Sequence, residues 1–96
     1  MKIVKLHPLA EEEMIQAAGF YESQQSGLGK RFLIAVQDGM NRMAINPRLY
    51  PVIYLDVRRC LVKTFPFSII FREKRDKLVV MAVMHMLRDP DYWKTR

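Results

Sequence analysis

The first half of the chain carries one short alternating segment followed by two helical patterns. Lys2 to Leu6 alternates polar and apolar side chains, which is typical of a half-buried strand. After Pro8 comes a stripe with the spacing of one buried helix face, made of Ala10, Met14, Ala17, Ala18 and Tyr21. A second helical pattern runs from about Leu28 to Ile45 and ends at Asn46-Pro47, and Gly39 inside it is expected to let the two helices approach closely. Because the connection between the two patterns is short, we predict an antiparallel helical hairpin.

The second half of the chain changes to the two-residue period of strands. The alternation predicts three strands, over Val57 to Phe65, Phe67 to Arg72 and Leu78 to Met86, with residues 74–77 at the tip of the last hairpin. Asp89-Pro90 breaks the last strand, and Asp91 to Lys94 is expected to form one closing helical turn. The pattern therefore predicts an α+β fold as a single domain over residues 1–96. A short amino-terminal strand and an antiparallel helical hairpin pack on a twisted three- to four-stranded antiparallel sheet, and a short carboxy-terminal helical turn follows.

The last two predicted strands are apolar on both faces. Phe67, Ile69 and Phe71 point one way and Ile70 the other, while Leu78 to Met84 is apolar throughout. An antiparallel sheet covered on one side alternates apolar and polar residues, and two helices can cover only one face. The other face must therefore meet the carboxy-terminal segment, the preceding loop or another protein, and we interpret it as the surface for a protein partner.

Composition and charge narrow the class of protein. Half of the residues are apolar, 27% are charged, and the single cysteine excludes an internal disulfide or a multi-cysteine zinc site. No apolar run approaches a membrane span or a signal peptide, so we expect a cytoplasmic protein with no membrane contact. The net charge of +6 lies entirely in residues 58–96, which hold ten basic and four acidic side chains. This surplus predicts a positive face that attracts phosphates or an acidic protein; the alternative is a solvated surface that keeps the protein soluble.

The residues best suited to catalysis or binding lie at the carboxy terminus. Common catalytic motifs are absent, and the glutamates at 11–13 fit the solvated start of a helix. Residues 85–96 combine a histidine, two arginines, two aromatic side chains and two aspartates. His85 is either a proton-transfer group or a partly buried strand histidine bonded to Asp89 or Asp91. Trp93 is interpreted as a packing lid over the apolar sheet rather than as a base-stacking platform. We expect no metal and no cofactor.

The residues resemble a known family in both halves of the chain. The matching stretches are Ala10-Glu11, Tyr21-Glu22, Leu28-Gly29-x-x-Phe32, Val57-Arg58, Phe65-Pro66-Phe67 and His85-x-x-Arg88-Asp89-Pro90-x-Tyr92-Trp93-x-x-Arg96. Together they resemble the RelE/ParE superfamily of toxins from type II toxin–antitoxin modules, on the ParE-like (plasmid stabilisation) branch. The resemblance implies a cognate antitoxin as partner, operator DNA contacted only through that antitoxin, and one of two modes of action.

The two modes are binding to DNA gyrase, as in ParE-like toxins, and metal-independent cleavage of mRNA on the ribosome, as in RelE-like toxins. The chain departs from the nuclease pattern, because Phe67, Leu87, Trp93 and Cys60 stand where that pattern has arginine, arginine, tyrosine and lysine. Losing transition-state cations lowers the rate of such a nuclease by about a hundredfold or more for each contact. The resemblance therefore favours a gyrase-binding toxin that is not an enzyme. Leu87 also departs from the His-x-Arg-Arg-like pattern of the ParE-like branch, which leaves open an attenuated toxin that acts mainly as an antitoxin-binding co-repressor.

Site residues follow from the resemblance and from the pattern of the sheet. The residues expected to bind the target are Arg58, Arg59, His85, Arg88, Tyr92, Trp93 and Arg96. If the chain is a nuclease, the expected catalytic groups are Arg58, Lys63, Arg72, His85, Arg88 and Tyr92. The residues expected to bind the antitoxin are Phe67, Ile69, Phe71, Val80 and Met84.

Overall fold

Two helices lie against one face of a five-stranded sheet in a computed structural model that describes residues 1–96. The elements are β1 (Ile3–Leu6), α1 (Pro8–Gln24), α2 (Leu28–Ile45), β2 (Val52–Tyr54), β3 (Val57–Leu61), β4 (Phe67–Glu73) and β5 (Lys77–His85). This order confirms the α+β class and the helical hairpin, and the second helix has the predicted bounds. Neither helix is long and apolar enough to cross a membrane.

The sheet is larger than predicted and is mixed rather than antiparallel. Its strand order is β1-β5-β4-β3-β2, and β1 pairs with β5 in parallel, with Val4 opposite Leu78. Both helices and three strands lie between β1 and β5 in the chain. They supply the long crossover connection that two parallel strands require. The strand that the sequence pattern missed is β2, which is only three residues long and exposed throughout.

Strand ends also differ from the prediction by a few residues. The strand predicted from Val57 to Phe65 ends at Leu61, because the chain turns before Pro66 and Thr64 adopts a φ of 76°. The predicted closing helical turn is a run of hydrogen-bonded turns, with the amides of Lys94 and Arg96 each bonded three residues back. These differences leave the predicted face of each residue unchanged.

The core under the helices is built around aromatic side chains. Phe32 of α2 and Phe67 of β4 pack edge to face with their centroids 4.9 Å apart, and Tyr21 and Phe65 make a similar pair at 4.9 Å. Each fully buried aromatic side chain contributes about 1.5–3 kcal/mol through removal from water. This aromatic cluster fixes the helical hairpin to the sheet.

Close approach of the helices occurs at Gly29 and not at Gly39. A Cβ atom on Gly29 would lie 2.5 Å from the carbonyl oxygen of Ala18 in α1, whereas a Cβ on Gly39 would meet Ile69 of the sheet at 2.7 Å. The prediction for Gly39 was therefore wrong, because this glycine faces β4. The contact between the two helices depends on the missing side chain of Gly29.

Replacing Gly29 with alanine is expected to destabilise the protein by about 1–3 kcal/mol, because the new methyl group overlaps a backbone oxygen that cannot move freely. Gly19→Ala is the matched control, since nothing lies within 4 Å of its Cβ position in α1. This control should stabilise the helix by up to about 1 kcal/mol. Urea denaturation of the two variants measures both effects, and a shift of the same sign in both would contradict the contact.

Candidate functional site

The carboxy-terminal segment, residues 86–96, crosses the sheet face that the helices leave open. It leaves β5 through a turn in which the Met86 amide donates to the carbonyl of Pro66 at 2.9 Å. Asp89 then accepts a hydrogen bond from the amide of Asp91 at 3.0 Å, which shapes the next turn. The segment therefore reaches the open face within a few residues of the strand that precedes it.

Trp93 covers the sheet face opposite the helices, called the second face below. Its side chain is 2% exposed and packs with five buried residues of β3, β4 and β5: Val57, Ile70, Met81, Ala82 and Met84. Tyr54 of β2 meets the indole edge to face at 5.9 Å. The indole Nε1 has no hydrogen-bond partner, so Trp93 is held by packing alone. The prediction of a packing lid is confirmed, and the chain itself covers the second apolar face. Because the indole is buried, the expectation that Trp93 contacts a target directly is corrected.

Glu13 of α1 holds the far end of the carboxy-terminal segment. Its carboxylate accepts hydrogen bonds from both terminal nitrogens of Arg96 at 2.9 and 3.1 Å and from Arg88 at 3.1 Å. The side chains of Glu13 and Arg96 are only 12% and 10% exposed. A bidentate arginine–carboxylate pair in such a sheltered place is strong and directional. The solvated helix start predicted for Glu13 is therefore corrected, and this residue is the anchor of the segment.

The Glu13–Arg96 ion pair also caps the part of β5 that β1 does not reach. β1 pairs with β5 only as far as Val80, so the next residues of β5 have no neighbouring strand on that side. The Val83 amide donates to Glu13 at 3.1 Å, and the Met81 carbonyl accepts from Arg96 at 3.0 Å. The two side chains supply the donor and acceptor that an adjacent strand would otherwise provide.

Tyr92 lies between the two arginines that bind Glu13. The guanidinium of Arg88 stacks 3.6 Å from the centroid of the tyrosine ring, and that of Arg96 lies 4.9 Å away. Burial, with the Glu13 carboxylate as a second cause, raises the pKa of Tyr92 well above its ordinary value. Arg88, Tyr92 and Arg96 thus form one packed unit with Trp93 beside it, in agreement with their grouping by sequence.

The other residues predicted to bind the target lie elsewhere. Arg58 of β3 donates to the Tyr50 carbonyl at 2.7 Å, and Arg59, the next residue, lies on the opposite side of the strand. His85 packs on Phe67 at 5.1 Å, and its Nδ1 accepts from the Leu87 amide at 3.1 Å. The expected bond from His85 to Asp89 or Asp91 was wrong.

The six groups expected for a nuclease do not form one site. Arg72 is paired with Asp56 at 3.0 Å on the sheet face under Trp93, whereas Arg58 and Cys60 lie on the helix side of β3. Lys63 follows the end of β3 and lies 4.0 Å from Asp38 of α2. Arg88 and Tyr92 are engaged with Glu13 and with each other. No group of three or more His, Cys, Asp or Glu side chains is placed to hold a metal ion.

The five residues assigned to antitoxin binding are part of the core. Phe67, Ile69, Phe71 and Val80 lie under the helices, and Met84 lies under the carboxy-terminal segment. Each is at most 8% exposed. Their assignment to an exposed partner surface is therefore corrected: the apolar pattern reflects two covers supplied by the chain itself.

Comparison with known proteins agrees with this architecture. The family model described as "ParE toxin of type II toxin-antitoxin system, parDE" matches residues 4–90. A solved structure described as "Chromosomal ParDE TA system from P. aeruginosa" shares the fold, with a TM-score of 0.67 and 20% identity over 88% of this chain and 96% of that chain. No curated protein sequence matches this chain. Because the family model covers most of the sequence, the chain belongs to the ParE toxin family of type II toxin–antitoxin systems.

Proposed function

We propose that this ParE-family chain is a binding toxin that inhibits DNA gyrase in the cytoplasm and is neutralised by a cognate antitoxin. In this proposal the carboxy-terminal segment contacts gyrase, and operator DNA is contacted only through the antitoxin. The observation that carries the proposal is the packing of Arg88, Tyr92, Trp93 and Arg96 into one anchored unit. A segment held in this way loses little conformational entropy when it binds another surface.

The exposed side of the segment has the composition of a contact surface. Met86 and Leu87 are 50% and 90% exposed, and the Arg88 side chain beside them is 52% exposed. Apolar side chains next to an arginine supply both buried area and a directional hydrogen-bond donor at protein interfaces. This composition supports gyrase binding through residues 86–88.

The arrangement supports the nuclease alternative less well. A general base works best when its pKa is close to the ambient pH, and the raised pKa of Tyr92 is far from it. The cations that such a reaction would use are spread over both faces of the sheet and several are paired with carboxylates. Electrostatic stabilisation of a transition state requires donors aimed at one point.

A gyrase supercoiling assay tests the proposal. Purified protein is expected to inhibit supercoiling or to trap cleaved DNA, and to leave mRNA intact on translating ribosomes. The antitoxin encoded beside the toxin gene should relieve the inhibition when added at equal concentration. Cleavage of mRNA on ribosomes, with gyrase unaffected, would favour the nuclease instead.

A second candidate function is an attenuated toxin that acts mainly as a co-repressor with its antitoxin. The observation that favours it is Leu87, which is 90% exposed at a position where the ParE-like pattern of the resemblance has arginine. Expression without the antitoxin distinguishes the two functions. Normal growth, together with retained antitoxin binding, would support the attenuated toxin.

A further inference from the structure

The end of the sheet at the β4–β5 turn carries a group of exposed cations. Three of them, Lys74, Arg75 and Lys77, lie in the turn and at the first position of β5, and the fourth is Lys5 of the neighbouring strand β1. All four side chains are exposed. The residues next to Lys5 and Lys77 along their strands pack under the helices, so both lysines lie on the second face. We call these four side chains the tip cluster.

The carboxylates around the tip cluster do not neutralise it. None of its four members forms an ion pair. Glu73, the last residue of β4, is paired with Lys2 at 3.0 Å. Asp56, in the turn between β2 and β3, is paired with Arg72 at 3.0 Å. Asp76 is the one carboxylate at this end outside an ion pair, so the cluster keeps a surplus of positive charge.

The chemistry of the tip cluster fits phosphates better than a protein surface. Residues 74–77 contain no apolar side chain, and three of the four cluster members are lysines. Lysine is depleted at protein interfaces, where aromatic side chains, methionine and arginine are enriched. Exposed lysine and arginine side chains bind a phosphate backbone by releasing its condensed counterions, which requires no apolar contact.

The width of the tip cluster matches a stretch of nucleic-acid backbone. The cluster extends over three neighbouring strands, β1, β5 and β4. Two strand spacings of about 4.8 Å give it a width of about 10 Å. One strand of a DNA duplex carries a phosphate about every 3.4 Å along the helix axis, so the cluster faces roughly three phosphates.

The tip cluster and residues 86–88 lie at opposite ends of β5. The strand runs from Lys77 to His85, and eight residue steps of about 3.3 Å separate its two ends by roughly 26 Å. Residues 86–88 combine two exposed apolar side chains with an arginine, which is the composition of a protein contact. One molecule can therefore hold a protein at one end and a phosphate backbone at the other.

We infer that the tip cluster binds the phosphate backbone of the DNA duplex held by gyrase, while residues 86–88 bind gyrase itself. The inference rests on the proposed inhibition of gyrase and adds the DNA as a second contact of the toxin in that complex. Phosphate contacts read no base sequence, so this contact is separate from operator recognition by the antitoxin. Two linked contacts hold the toxin on the gyrase–DNA complex more tightly than either contact alone.

The test compares Arg75→Gln/Lys77→Gln, the tip variant, with the matched control Lys30→Gln/Arg31→Gln. Each pair removes one lysine and one arginine from exposed positions that form no ion pair, so the net charge falls equally. The control residues directly precede Phe32, which packs at the start of β4, the end of that strand away from the tip cluster. Fluorescence anisotropy with a labelled, mixed-sequence DNA duplex measures the affinity of each variant over a range of salt concentrations.

The tip variant should bind the duplex about ten- to fiftyfold more weakly at about 0.1 M salt, because two phosphate contacts and their counterion release are lost. The slope of log affinity against log salt concentration should also become shallower by about two. The control should change the affinity by about twofold or less and leave the slope unchanged. Equal losses in the two variants, or full duplex affinity in the tip variant, would overturn the inference.

A gyrase assay separates failure of this inference from failure of the proposed function. The tip variant should trap less cleaved DNA than the wild type but bind DNA-free gyrase equally well, because residues 86–88 are unchanged. Weaker binding to DNA-free gyrase, combined with full duplex affinity, would assign the tip cluster to an acidic protein surface and overturn the DNA contact. Wild-type protein that binds the duplex but leaves supercoiling unaffected would overturn the proposed function and retain the tip cluster as a phosphate-binding surface.

Discussion

Replacing Trp93 with alanine is expected to destabilise the protein by about 3–5 kcal/mol. The indole is 2% exposed and fills the space above five buried residues of three strands, so its removal uncovers an apolar sheet face. A domain of this size has a total stability of about 5–14 kcal/mol, so the loss removes a large share of it. Chemical denaturation followed by circular dichroism measures the change.

Trp93→Phe is the matched control for the packing argument. Because Nε1 has no hydrogen-bond partner, phenylalanine loses no bond and keeps most of the buried area. The expected cost is only about 1–1.5 kcal/mol, from incomplete filling of the space. If phenylalanine and alanine were equally damaging, the role of Trp93 would not be packing. Leu87→Ala, at a position 90% exposed, should have no measurable effect on stability.

The elements with strong local signals could be predicted from the sequence. Both helices follow an apolar stripe and end at local stop signals, and α2 ends just before Asn46-Pro47. β2 could not be found because its three residues are all exposed and therefore show no alternation. The parallel pairing of β1 with β5 joins residues more than seventy positions apart, which no local pattern encodes.

The candidate site was predicted in part, for a similar reason. The grouping of Arg88, Tyr92, Trp93 and Arg96 follows from their proximity along the chain. Their anchor, Glu13, lies far away in sequence, and the only signal for it was its position next to the buried stripe of α1, one turn after Ala10. The apolar pattern of β4 and β5 indicated that both sheet faces are covered, but it did not identify the covering elements. The prediction therefore assigned core residues to a partner protein, whereas the helices and the carboxy-terminal segment cover them.

Replacing Glu13 with glutamine is expected to release the carboxy-terminal segment and to cost about 2–4 kcal/mol. The change leaves Arg96, a side chain only 10% exposed, without its counter-charge and weakens the cap on the Val83 amide. Because the affected bonds lie at one edge of β5 and in residues 88–96, local opening should precede global unfolding. Faster hydrogen exchange at Val83 and along the segment would report this opening.

Glu12→Gln provides the control for the neighbouring charge in the same helix turn. Glu12 is exposed and bonds only to Gln16 at 3.2 Å, so its removal should change stability by less than about 0.5 kcal/mol. A double-mutant cycle of Glu13→Gln with Arg96→Met should give a coupling energy of at least about 1 kcal/mol, because each residue is the other's principal charged partner. Additive effects of the two substitutions would contradict the anchor. Since Trp93 is the chain's single tryptophan, a red shift of its fluorescence in Glu13→Gln would show that loss of the anchor also lifts the lid.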